Sequence, residues 1–275
     1  MEAVYGESYA NMLNELGYQD LQHTLAELGE ESEDTHLKLN LDGRNPDDGM
    51  TDIAYEKGYL FLRWMESLVG RERFDAFLKN YFEQNAFQTM TTESFIEYLN
   101  ANLLNELDEK PDLDQWIYSP GLPADHPVPT STRFDAVDSA RMAWMDKKMA
   151  TNALPTSEWT THAWLHFLRE IPADIGKERM ADLDQEYKFT QSQNSEIAAV
   201  WFERAIENDY QVAFTQLEAF LLKVGRRKFL QPLYTKLAET AEHKIWAERV
   251  YATARGNYHA VSVNTLDEIL GWEKS

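Results

Sequence analysis

The chain has 275 residues, 43% of them apolar, no cysteine, and 47 acidic side chains against 26 basic ones. That length and apolar content suffice for two domains with a sizeable core, and the missing cysteine excludes disulfides and thiolate metal sites. A formal charge of −21 repels nucleic acid and anionic membranes, and no apolar run reaches the ~18 residues of a membrane span. Neither nucleic acid nor membrane is therefore an expected partner. The acidic surface has a bland reading, solubility, and a sharper one, a field that draws in cationic substrates. The expectation is a soluble chain whose compartment, cytoplasmic or periplasmic, the residues do not specify. The opening "MEAVYGESYANMLNELG" has neither the basic n-region nor the apolar h-region of a signal peptide, and it reads like the middle of a helical protein.

Helical periodicity dominates from there on. Helices are predicted over 2–16, 18–28, 55–69, 72–84, 92–103 and 113–118, then over 134–149, 158–169, 177–187, 195–208, 211–224, 228–238, 242–254 and 264–270. Thr91 and Asn194 stand where N-caps belong, with Glu93 and Glu196 in the turns that follow. Gly70, Gly225 and Gly256 read as helix stops. One stretch differs: "HLKLNL", 36–41, alternates with period two and predicts a short strand with Leu37, Leu39 and Leu41 on one face. A turn-rich loop follows, with Gly43, Pro46 and Gly49 close together. "SPGLPADHPVPT", 119–130, carries four prolines, so no helix runs through it, and the domain boundary is placed there. Beyond it, helices with short turns recur like stacked helical hairpins, without a clean period, which predicts a solenoid-like helical domain.

Three constellations could carry chemistry. Tyr55 precedes the apolar helix "GYLFLRWMESLVG". Its phenol is either an ordinary capping side chain or a hydroxyl aimed at a reacting group. "HAWLH" sets His162 and His166 on one helix face at a spacing that can hold zinc, but Ala163 stands where a zinc peptidase needs its glutamate. Two packed histidines beside Trp159 and Trp164 are the stronger reading. "GRRKF", 225–229, gathers Arg226, Arg227 and Lys228 just past a glycine in a chain short of cations. They either complement neighbouring acids or bind a carboxylate, for which Arg offers a fork and Lys a point charge. The phosphate-binding and nucleophile-elbow motifs are absent.

Together these segments resemble a known family. "AYEKGYLFLRWMESLVGRERFDAFLKNYFEQNAFQTMTTESFIEYL" is similar to the zinc aminopeptidases of peptidase family M1, and "DQWIYSPGLP", "QNSEI" and "GRRKFLQPL" resemble its leukotriene A(4) hydrolase-like branch. The resemblance spans almost the whole chain, in order. It implies a mainly all-α fold: the helical distal lobe of a gluzincin, thermolysin-like catalytic domain over 1–120, a Pro-rich linker over 121–130, and a HEAT/armadillo-like α-helical domain over 131–275. It implies that Tyr55 donates a hydrogen bond to the oxyanion formed when water attacks the peptide carbonyl. It further implies that Arg226 and Lys228 hold the C-terminal carboxylate of a short peptide and that Asp47 lines the same cleft. Met50 departs from the branch, which has a second tyrosine there, so epoxide hydrolysis is in doubt.

The family's H-E-x-x-H, its distal glutamate and its G-x-M-E-N signature do not occur in this chain. Zinc is therefore expected in a longer parent enzyme and in none of this chain's own sites. The upstream part of the catalytic domain is an expected partner, and the isolated chain is expected to be inactive. Met1 is either internal to the parent or a cut. The alternative is a non-catalytic helical scaffold that kept the fold and lost the chemistry, although such a protein needs neither Tyr55 nor the Arg226/Lys228 pair.

Overall fold

The structure is a computed structural model. It describes residues 1–272 and, within them, every side chain but that of Asp48; the last three residues of the expected C-terminal domain lie outside the described residues. The chain divides into two compact units, one of Leu13–Thr130 and the other of Met1–Met12 with the chain from Ser131 onward. Among the described residues there is no strand, and helices account for nearly all regular structure.

The first unit is built around helix Gly58–Val69. Its buried Leu60, Phe61 and Met65 join Leu21, Leu25, Phe74, Phe77, Leu99, Leu103 and Trp116 in one core. Spacings of three and four put these side chains on shared helix faces. Gly70 adopts φ 81°, a left-handed value that glycine takes without a Cβ clash, and the next helix, Arg71–Gln84, starts at once. Thr91 caps helix Thr92–Leu99, accepting from the Ser94 amide at 3.2 Å. The helix expected over 92–103 changes register part-way, into a π-helical turn, Asn100–Leu104.

Two expectations for residues 2–41 are corrected. Helices expected over 2–16 and 18–28 are instead Glu2–Tyr5 and Glu7–Leu28, because the break falls at Gly6 (φ 85°) and Gly17 stays helical. A glycine inside a helix costs only about 1 kcal/mol against alanine, which neighbouring turns offset. The strand expected over 36–41 does not form. That stretch makes one ladder-like bond, from the Lys38 amide to the Ile117 carbonyl at 2.9 Å. The alternation reported a shared face rather than a sheet: Leu39 and Leu41 close over Gly49, and Leu37 lies near Gly58.

In the second unit, helices Thr132–Met145, Thr161–Arg169, Ser195–Glu207, Arg227–Ala238 and Ala260–Leu270 pack each against the next, forming one row. Phe214–Lys223 and Ala241–Ala254 pack on one another in a second row. Trp201, Leu217, Leu221, Leu230, Leu233, Tyr234 and Tyr251 are fully buried in this unit. Gly256, read as a helix stop, sits instead in a 3-10 turn, Arg255–Asn257, and the chain turns extended at Tyr258. No described helix is long and apolar enough to cross a membrane.

Candidate functional site

Tyr55 lies in a π-helical turn, Ile53–Lys57, that leads directly into helix Gly58–Val69. π-turns add one residue per turn and so swing a side chain off the helix's normal register. Four residues around Tyr55 are engaged. Ile53 enters the core. Asp52 accepts from the Thr24 hydroxyl at 3.3 Å. Glu56 lies against Gly17 so closely that a Cβ there would overlap its carboxylate. Lys57 is fully buried, its ammonium donating to the carbonyls of Thr35 (2.8 Å) and Ser119 (3.0 Å). Tyr55 turns outward, 64% exposed, with the small exposed Ala54 beside it. Burial in a cage of neutral carbonyls pushes the Lys57 pKa down to about 8, since desolvation penalises the charged form.

The cage is itself fixed. The Thr35 hydroxyl donates to the Ser32 carbonyl at 2.6 Å and accepts from the Gly121 amide at 2.8 Å. Gly121 takes φ 63°, where a side chain would be strained.

Asp47 is exposed in the short turn Pro46–Gly49, whose Asn45 cap accepts from the Asp47 amide at 3.1 Å. Met50, at 59% exposure, follows it. Asp47, Met50 and Tyr55 thus stand exposed on consecutive turns of one unit.

Arg226 and Lys228 belong to the second unit, at the start of helix Arg227–Ala238. Three cations here face the positive end of the helix dipole, where carboxylates are normally favoured and none is present in the first turn. Pro232 removes the amide that would bond the Lys228 carbonyl. Arg226 lies over the Phe229 ring, 5.8 Å from its centre, while Lys228 pairs with Glu196 at 3.3 Å. The turn is held from behind: Ser262 donates to the Gly225 carbonyl at 2.9 Å, and Tyr258 donates to the Leu221 carbonyl at 2.6 Å.

His162 and His166 do not form a metal site. His166 is 3% exposed, stacked on Phe134 with centres 4.0 Å apart, with Nε2 3.0 Å from Asp138. His162 meets the Tyr9 ring edge-on, and burial lowers its pKa. Among the described residues there is no group of three or more His, Asp or Glu that could hold a metal. A concavity of about 430 Å³ beside Trp64, Leu107 and Trp116 includes none of Tyr55, Asp47, Arg226 or Lys228.

The Peptidase family M1 domain matches residues 1–116, and the Leukotriene A4 hydrolase, C-terminal domain matches residues 159–270. The chain belongs to peptidase family M1, in its leukotriene A4 hydrolase-like branch. Leucine aminopeptidase 2 of Chaetomium globosum is 26% identical over 98% of the chain and 45% of its own length. Aminopeptidase B of Mus musculus is 27% identical over 97% and 44%. The chain therefore spans less than half the length of these relatives. The structure of yeast LTA4 hydrolase in complex with Bestatin shares the fold, with a TM-score of 0.80 at 23% identity over 98% of this chain and 47% of that one.

Within this M1 chain, sequence reading singled out Tyr55, Asp47, Arg226 and Lys228 as candidates and did not foresee the contacts around them: Lys57, Thr35 and Gly17 near Tyr55, and Glu196, Phe229 and Ser262 near Arg226 and Lys228. The signal for Lys57 was present, as the third residue of the Tyr-Glu-Lys-Gly motif. Its burial was not legible.

Proposed function

We propose that this chain is part of a zinc metallo-aminopeptidase that removes N-terminal residues from short peptides. Tyr55 donates a hydrogen bond to the oxyanion that develops on the scissile carbonyl. A phenol O–H is a hydrogen-bond donor suited to such an oxygen. A fixed donor of this kind is worth roughly 3 kcal/mol when the charge appears only in the transition state. Arg226 and Lys228 receive the C-terminal carboxylate of the substrate, the first as a planar fork and the second as a point charge. Asp47 contributes to binding the substrate in the first unit.

The observation that carries this reading is the Tyr55 turn. Its neighbours Ile53 and Lys57 are buried and Glu56 is half-buried, while the phenol, with the small Ala54 beside it, is presented outward. Family membership, and the names of the aminopeptidase relatives, add support. Zinc supplies Lewis-acid chemistry in such enzymes, from ligands outside the described residues. On this reading the chain by itself is inactive.

The test is Tyr55→Phe in the full-length enzyme, assayed on a free tripeptide. The expected result is a fall in kcat of about 10²-fold or more with little change in KM. Activity within about three-fold of wild type would leave Tyr55 a structural phenol.

A further inference from the structure

A lysine ammonium held only by carbonyls is a costly way to fill a core. A methionine would occupy similar space without the desolvation penalty, and replacing buried charge by apolar side chains is often neutral or stabilising. Lys57 is fully buried, and its two acceptors, Thr35 and Ser119, are backbone carbonyls. These acceptors lie 22 and 62 residues away along the chain. Lys57 therefore ties the π-turn to two separate loops, and Thr35 ties those loops to one another through the Gly121 amide. On the other side, Thr24 and the notch at Gly17 seat Asp52 and Glu56 on helix Glu7–Leu28. The turn is clamped on both flanks, with Tyr55 between them.

We propose that Lys57 is the positioning residue of Tyr55: by pinning the π-turn to the Thr35 and Ser119 carbonyls, it holds the phenol in the one orientation that meets the oxyanion. The inference rests on the catalytic role assigned to Tyr55 above. Lys57 touches no substrate. Its contribution is pre-organisation, since a donor misplaced by about 1 Å loses much of its effect.

The test is a double-mutant cycle in the full-length enzyme, with Tyr55→Phe, Lys57→Met and the pair, well below the unfolding temperature of each. Lys57→Met is expected to lower kcat at least ten-fold while KM stays within two-fold. In the Tyr55→Phe background the same change is expected to alter kcat by less than two-fold, because the residue it serves is gone. Gly17→Ala, which displaces Glu56 and leaves Lys57 in place, is the second variant should Lys57→Met fold poorly. It is expected to cost three- to ten-fold in kcat, again only when Tyr55 is present. If Tyr55→Phe slows the enzyme but the Lys57 and Gly17 effects multiply with it, Lys57 is structural and the inference fails while the role of Tyr55 stands. If Tyr55→Phe changes nothing, both fall.

Discussion

The ammonium of Lys228 sits 3.3 Å from the carboxylate of Glu196, each side chain projecting from the first turn of its own helix. Glu196 is well placed for its own helix, whose Asn194 cap accepts from the Glu196 amide at 3.0 Å. Lys228 is not well placed for its helix, and the pair partly offsets that. On the proposed reading a substrate carboxylate at Lys228 would compete with Glu196, whereas Arg226, laid over Phe229, presents its fork on an aromatic ring. Arg226→Ala is therefore expected to lower kcat/KM on a free-acid tripeptide by about thirty-fold or more, and Lys228→Ala by less. Glu196→Gln is expected to raise it about two- to five-fold, the range of an exposed ion pair. None of the three changes should appear with the same tripeptide amidated at its C-terminus. Equal effects on acid and amide would show that these cations support the cleft and do not read the carboxylate.

Lys57 leaves a mark on stability that needs no assay of activity. Its folded-state pKa is about 8, against 10.5 for an ordinary lysine. Below pH 8 both states carry the proton and the folded state bears the full desolvation cost. Between pH 8 and 10.5 the unfolded chain binds more protons than the folded one, so this group makes stability rise with pH. The neutral amine keeps two N–H donors, enough for both carbonyls. Urea unfolding of the 275-residue chain and its Lys57→Met variant, at steps from pH 7 to 10.5, checks this. The difference between wild type and variant should shift in favour of wild type across that window, and a constant difference would mean that Lys57 titrates normally.

Lys57 also shows why part of the site was legible in the sequence and part was not. Tyr55, Arg226 and Lys228 stand in short contiguous motifs, and contiguity is what a sequence displays. The helices were legible for the same reason, since periodicity is local; 177–187 was read to the residue. The π-turn was not, because one inserted residue at a helix entrance barely disturbs a 3.6-residue period. The Thr35 and Ser119 acceptors and the Glu196 partner are brought in by tertiary folding, which no local pattern encodes. The stretch 36–41 misled for a related reason. Alternating leucines mark one buried face, and whether a strand forms depends on a neighbour supplying a ladder, which the fold does not place there.

His166 separates a packing histidine from a metal ligand. Its ring lies flat on Phe134, at an interplanar angle of 4°, and it shares Asp138 with Arg141. His166→Ala empties a buried, hydrogen-bonded position and is expected to cost about 2–4 kcal/mol in urea unfolding, with His162→Ala costing about 1 kcal/mol or less. Equimolar zinc should leave the thermal midpoint of the wild-type chain unchanged. A zinc-dependent rise that disappears in His166→Ala would instead establish a ligand pair on this helix.

The turn that carries Arg226 is as rigid as its back side allows. Ser262, 2% exposed on helix Ala260–Leu270, donates to the Gly225 carbonyl directly before Arg226. Tyr258 donates to the Leu221 carbonyl and meets the Tyr234 hydroxyl at 3.3 Å, and burial raises its pKa to about 12 against an opposing pull from the Tyr234 hydrogen bond. Both bonds hold backbone carbonyls near the C-terminal end of helix Phe214–Lys223, groups that would otherwise lack a partner. Ser262→Ala leaves the Gly225 carbonyl unmatched, and Tyr258→Phe does the same to Leu221; each is expected to cost about 1–2 kcal/mol in stability. The two variants should differ in function. Ser262 braces the residue adjoining Arg226, so its loss should narrow the preference for free-acid over amidated tripeptides about three-fold or more, mainly through KM. Tyr258 braces the preceding helix end and should leave that preference within two-fold of wild type. The ratio of kcat/KM on the two peptides, measured for both variants in the full-length enzyme, separates the cases. Equal narrowing by both would mean that the turn responds to global loosening and that Ser262 has no particular hold on Arg226.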